Sequence, residues 1–151
     1  MSHRQSATPT PPLCVDANLV VCFFTDPSDI AVRRQWLQWQ DEGRTFVAPF
    51  LFRYELTNAL YRIGRADKEH PIDMTPTLHA AIALPIELYQ DQSLHAAAMR
   101  LAGRFNLSAA YDAHYLALAD YLGVEFWTAD KKLANPVRHA LHWVHLVQSS
   151  Q

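Results

Sequence analysis

Four carboxylates occupy positions that invite a chemical reading. Asp16 interrupts the apolar run "LCVDANLVVCFF", and Glu55 lies within "PFLFRYELTNALYRIGRA". Asp112 belongs to "SAAYDAHYLALADYLG", and Asp130 to "WTADKKL". A carboxylate in apolar surroundings is costly unless something pairs with it. Several converging on one place repel one another unless a cation sits among them. A hard divalent cation takes oxygen ligands; Mg2+ keeps several waters and binds through few carboxylates, and Mn2+ shares that preference. Such a site can hydrolyse a phosphodiester by activating water and stabilising the leaving oxygen, with no Ser or Cys nucleophile. Asn18 and Thr128, neighbours of two of the acids, are placed to orient a ligand or a water.

Each acid also has a plainer reading. Asp in a first helical turn is commonly a cap or dipole partner, and a border Glu is commonly solvated. What makes the set notable is that elements of alternating type would carry all four to one edge. Leu13–Val15 reads as a buried strand, and "DANLVVCFF" turns into a short helix. "SDIAVRRQWLQWQDEG" is a helix capped by Ser28 and stopped by Gly43, with Val32, Trp36 and Trp39 as its core stripe. "RTFVAP" is a strand, and Pro49 suits the first turn of the next helix. That helix turns Phe52, Leu56, Ala59, Leu60 and Ile63 to one face.

After the polar "DKEHPID", a helix runs from near Thr75 to about Leu84, followed by the strand "PIELY". "DQSLHAAAMRLAGRF" is a helix stopped near Asn106; the next is capped by Ser108, ends at Gly123 and holds Asp112 in its first turn. "VEFWT", the short helix "ADKKLANP" and the strand "HWVHLV" complete the chain. Strands alternating with helices predict a three-layer α/β/α fold around a mainly parallel sheet. In such sheets ligands bind outside the carboxyl ends of the strands, where Asp16 and Asp130 fall.

The 151 residues fit one domain, expected over 13–148 after a loose tail at 1–12. No apolar run is long enough to span a bilayer and the first residues lack a secretory h-region, so the expectation is a cytoplasmic protein with no membrane partner. Cys14 and Cys22 make neither a zinc pattern nor a disulfide framework. A net charge of −2 offers no general attraction to nucleic acid, so phosphate contacts need a local basic patch.

The ordered set "VDAN", Glu55 in a helix after a strand, "LSAAYDAHYLALA" and "WTADKKL" resembles the PIN-domain ribonucleases, most of all the VapC toxins of toxin–antitoxin pairs. The resemblance runs from about Leu13 to Val147. It implies a Mg2+- or Mn2+-dependent endoribonuclease acting on RNA, a homodimer and an inhibiting antitoxin protein. It places the family's acidic catalytic and metal-binding residues on Asp16, Glu55, Asp112 and Asp130, with Asn18 and Thr128 in support. The longer N-terminal tail and the break "DKEHPIDMTP" depart from the compact toxins and leave the acids untouched.

Other features weigh less. Lys131 and Lys132 directly follow an acid and are the favoured phosphate contacts, with Arg53 and the further arginines 33, 34, 62 and 65 behind them. His142 and His145 alternate faces of a strand and cannot share a metal. His114, two residues after Asp112, points to another side of its helix. Two rival functions remain. A phosphotransfer protein also places Asp at strand ends, but needs a second acid beside or two after it, where Val15, Ala17 and Asn18 stand. A module that binds RNA or a partner without turnover would have no need of all four acids.

Overall fold

A computed structural model describes residues 9–147, so most of the expected tail and residue 148 lie outside the described residues. The elements are β1 (Leu13–Val15), α1 (Ala17–Thr25), α2 (Ile30–Asp41), β2 (Phe46–Pro49), α3 (Leu51–Gly64) and α4 (Thr75–Ile82). They continue as β3 (Ile86–Tyr89), α5 (Ser93–Arg104), α6 (Ala113–Leu122), β4 (Phe126–Thr128), α7 (Lys131–Ala134) and β5 (Val144–Leu146). The five strands form one parallel sheet in the order β3-β2-β1-β4-β5. Helices complete the expected three-layer α/β/α arrangement. α1 packs on α2, α3 and α4, while α5 packs on α6, which lies against β1 and β2.

The central strand β1 is wholly buried, as a parallel strand covered on both faces must be. Trp36 stacks on Phe46 with centroids 4.7 Å apart, and Trp39 meets the same ring edge-on, so the α2 stripe is core. Because β2 and β3 lie on one side of β1 and β4 and β5 on the other, the strand order reverses between β1 and β4. That reversal leaves a crevice outside their carboxyl ends.

Several boundaries differ from expectation for local reasons. Asp29, not Ser28, caps α2, accepting from the Val32 N–H at 3.1 Å. Pro49 ends β2 instead of opening α3, and Ile63 on α3 is 40% exposed. The second glycine of the chain, Gly64, is demanded by packing. A Cβ on Gly64 would sit 2.3 Å from the Ile72 carbonyl oxygen, because the segment after α3 folds back and Ile72 N–H donates to the Gly64 carbonyl. Most consequential, α6 begins at Ala113, and Ser108 lies in the irregular segment before it. Asp112 is therefore the residue that leads into the helix, not one inside its first turn.

Candidate metal centre at the carboxyl edge of the sheet

The crevice between β1 and β4 opens into a cleft of about 460 Å3 that Asp16, Glu55, Asp112 and Asp130 all line. Four elements deliver them. Asp16 follows β1 and caps α1, Glu55 projects from the middle of α3, Asp112 precedes α6, and Asp130 follows β4 and caps α7.

Asp16 is 5% exposed, and part of its role is structural. One carboxylate oxygen accepts from the Leu19 N–H at 3.0 Å, and the other accepts from the Thr128 hydroxyl. Thr128, fully buried at the end of β4, in turn accepts from the Asp130 N–H at 2.9 Å. Thr128 thus couples the two acids across the crevice without lining it. These two hydrogen bonds do not offset the burial. Desolvation, reinforced by the charges of Asp130 and Glu55, lifts the Asp16 carboxyl from its ordinary 3.8 to about 7.

Glu55 and Asp112 share that predicament. Glu55 is half-buried and accepts from the Tyr115 hydroxyl at 2.7 Å. Its pKa still rises, through desolvation first and the Asp112 charge after the opposing Tyr115 bond. The pKa of Asp112 rises through desolvation and then Asp130. Asp112 has helical backbone angles and makes no side-chain capping bond, so its carboxylate is not spent on the helix. Asp130 does serve its helix, accepting from the Lys132 N–H at 2.9 Å.

The donor set fits a hard, hydrated cation. All four groups offer carboxylate oxygens, and burial penalises the charged form of Asp16, Glu55 and Asp112. Among the described residues no three of the four place ligand atoms within 4.8 Å of one another. Direct ligands on opposite sides of Mg2+ are about 4.2 Å apart, so this spacing suits an ion that reaches some of the acids through water.

The remaining expected residues divide. Asn18 lines the cleft and is exposed to it. Arg53, Lys131 and Lys132 are exposed and do not line it. Arg53 lies two residues from Glu55, which is more than half a helical turn around α3. Asn58, Ala59 and Arg62 do line the cleft, at three, four and seven residues past Glu55. Helical spacing alone would have singled out Arg62 as the cation facing the acids. Tyr115, three residues past Asp112, was hidden inside an apolar stripe.

The PIN domain family model matches residues 13–138. No curated protein matches the chain in sequence. Among solved structures, the chain is similar to PAE2754 from Pyrobaculum aerophilum at 21% identity and a TM-score of 0.60, covering 85% of this chain and 88% of that one. It is also similar to a toxin–antitoxin complex from Klebsiella pneumoniae at 15% identity and a TM-score of 0.64, covering 93% of this chain and 100% of that one. At these identities the structural likeness speaks for the fold. With the family match spanning most of the chain and the acids gathered at the switch point of its sheet, the chain belongs to the PIN domain family, whose members are typically nucleases.

Proposed function

We propose that the chain is a Mg2+- or Mn2+-dependent endoribonuclease that hydrolyses RNA phosphodiester bonds, its domain spanning 13–148. The observation that carries this reading is Asp16: a buried carboxyl lifted to about 7 at the crevice of the sheet, with three further carboxylates lining the same cleft. Asp16, Glu55, Asp112 and Asp130 would hold the cation, directly or through water. When bound, the cation supplies an acidified water and neutralises charge on the phosphate.

The chain's own groups then have definite tasks. Thr128 fixes the orientation of Asp16 and, through the Asp130 N–H, keeps the two acids in register. Glu55, held by Tyr115 and raised in proton affinity, is suited to take the proton from the attacking water. Attack of the water oxygen on phosphorus breaks the bond to the leaving sugar oxygen, which regains a proton from solvent. Arg62 and Asn18, both lining the cleft, contact the phosphate and orient the strand. Lys131 and Lys132, exposed just beyond Asp130, serve at most the outer path of the RNA.

The similarity to a toxin–antitoxin complex supports a toxin role with a cognate antitoxin, and the homodimeric state rests on the sequence resemblance to such toxins. Among the described residues no helix is long and apolar enough to cross a membrane, and we place the protein in the cytoplasm. The test is RNA cleavage with Mg2+ or Mn2+ by four single variants, Asp→Asn or Glu→Gln, and one double variant. Each single change should cost roughly a hundredfold or more, since even outer partners of a metal site cost 10–100-fold. The second change should add little, because the acids act as a unit. Wild-type cleavage by both Asp16→Asn and Asp112→Asn would overturn the reading.

A further inference from the structure

A second concavity, of about 290 Å3, opens on the same carboxyl edge, where β2 and β3 end at the paired residues Pro49 and Tyr89. β2 lies directly beside β1, which delivers Asp16. Two elements wall both cavities. At the start of α6, Asp112 and Tyr115 line the acidic cleft, while Tyr111 and His114, the residues just before each, line the smaller cavity. On α3, Leu51 lines the smaller cavity and Glu55, one turn later, the acidic one. The two are adjoining compartments separated by the first turns of two helices.

The smaller compartment combines ring faces with a fixed polar group. Tyr111 is 68% exposed at the rim of this cavity, so its ring face is open to a ligand. His114 is tied by its own backbone: Nδ1 lies 2.9 Å from the Ala110 carbonyl oxygen and 3.1 Å from that of Tyr111. Carbonyls only accept, so Nδ1 carries the proton. In the neutral ring Nε2 then accepts, and its partner at 2.9 Å is Nδ1 of His95. His95 must therefore donate from Nδ1, which leaves its Nε2 as an acceptor.

We propose that this compartment is the subsite for one unpaired nucleobase of the RNA, next to the phosphate cleaved in the acidic cleft, with Tyr111 as stacking platform and His95 as acceptor for a base N–H. The assignment rests on the nuclease reading above. Proteins that bind single-stranded RNA stack splayed bases on aromatic rings and hydrogen-bond their edges, the two functions combined here. Because Tyr111 and Asp112, adjacent in the turn that leads into α6, serve the two compartments, a base seated on Tyr111 belongs to a nucleotide whose phosphate reaches the acids.

Tyr111→Ala and Tyr111→Phe in the full chain test this, with a short random-sequence single-stranded RNA and a base-free RNA carrying an abasic ribose at every position. With Ca2+ as the ion, Tyr111→Ala should weaken binding of the base-bearing RNA about tenfold, and Tyr111→Phe less than about twofold. Neither should alter binding of the base-free strand. With Mn2+, the Ala variant should raise KM by the same factor and leave kcat within about twofold. Equal affinity in the wild type and Tyr111→Ala, equal losses on both strands, or no RNA binding by the wild type would each overturn the subsite. A change of oligomeric state in Tyr111→Ala, read by light scattering, would also overturn it by giving the compartment to a second copy of the chain. Tyr111-dependent binding without cleavage would keep the subsite and sink the nuclease reading; cleavage indifferent to Tyr111 would do the reverse.

Discussion

Two groups of potential metal ligands sit at one cleft or beside it, and the proposed function makes the more tightly clustered of them the poorer metal site. Cys22, Asp26 and Asp29 bring ligand atoms within 4.8 Å of one another, closer than any three of Asp16, Glu55, Asp112 and Asp130. Yet their bonding capacity is committed to the chain. Asp29 caps α2 and accepts from the Cys22 thiol at 3.4 Å, and exposed Asp26 accepts from the Ser28 N–H at 3.1 Å. A thiol must lose its proton to bind a metal, and burial and then Asp29 push that of Cys22 up to about 12. The acids of the cleft are farther apart, but Asp16, Glu55 and Asp112 are desolvated, and Asp112 makes no capping bond at all. What marks a cation site is unrelieved charge more than proximity.

The largest expected effect separates the groups by sign. In the metal-free protein Asp16 holds its proton to about pH 7, whereas the unfolded chain releases it near 3.8. The folded state therefore binds the extra proton, and stability is lost as pH rises from about 4 to about 7. By linkage the ceiling on that loss is about 4 kcal/mol. Asp16→Asn should remove much of this slope and raise the metal-free Tm at pH 8 by roughly 4–8 °C. Asp29→Ala should instead lower stability by about 1 kcal/mol through the lost cap. Thermal melts in a chelator at pH 5 and pH 8 check both, and a metal-free Asp16→Asn protein less stable than wild type at pH 8 would break the contrast.

A smaller effect tests Tyr115, which positions Glu55. Removing its hydroxyl with Tyr115→Phe takes away the one bond that lowers the Glu55 pKa. RNA cleavage should fall about tenfold, as for other outer partners of a metal site. The rising limb of the pH–rate profile should move to higher pH. Cys22→Ala, which removes the corresponding bond in the other group, should leave the rate within about twofold and the profile in place. A merely structural role for Tyr115 would lower stability without moving the limb.

The sheet was legible because β1, β2 and β4 are short, mainly apolar runs, and the strand-end positions of Asp16 and Asp130 followed from β1 and β4. Glycines at 43 and 123, both at φ of +66°, closed α2 and α6 as expected. The start of α6 was not legible. Ser108 looks like a cap, but the Ala110 and Tyr111 carbonyls of the intervening turn are taken by the His114 ring, a contact that depends on the side chain's placement. Tyr115 escaped notice because its ring belongs to the core while its hydroxyl serves Glu55, and sequence pattern records only the first. Thr128 was expected beside a ligand and instead works one step behind, buried between two acids. Lys131 and Lys132 were favoured because they follow an acid in sequence, whereas Arg62, one of the lesser candidates, is the one that lines the cleft.

The central claim is that the four dispersed acids, not the tight cluster, bind the divalent ion. Calorimetric titration of Mn2+ into the wild type, Asp112→Asn, and the double variant Asp26→Asn/Asp29→Asn at pH 7 tests it directly. Asp112→Asn should weaken binding at least about tenfold, and the double variant should bind within about twofold of wild type. Binding to the wild type should also release protons at pH 7 and cease to do so near pH 9, because the Asp16 carboxyl lifted to about 7 must ionise to meet the ion. Mn2+ affinity that survives Asp112→Asn and collapses in the double variant would contradict the account.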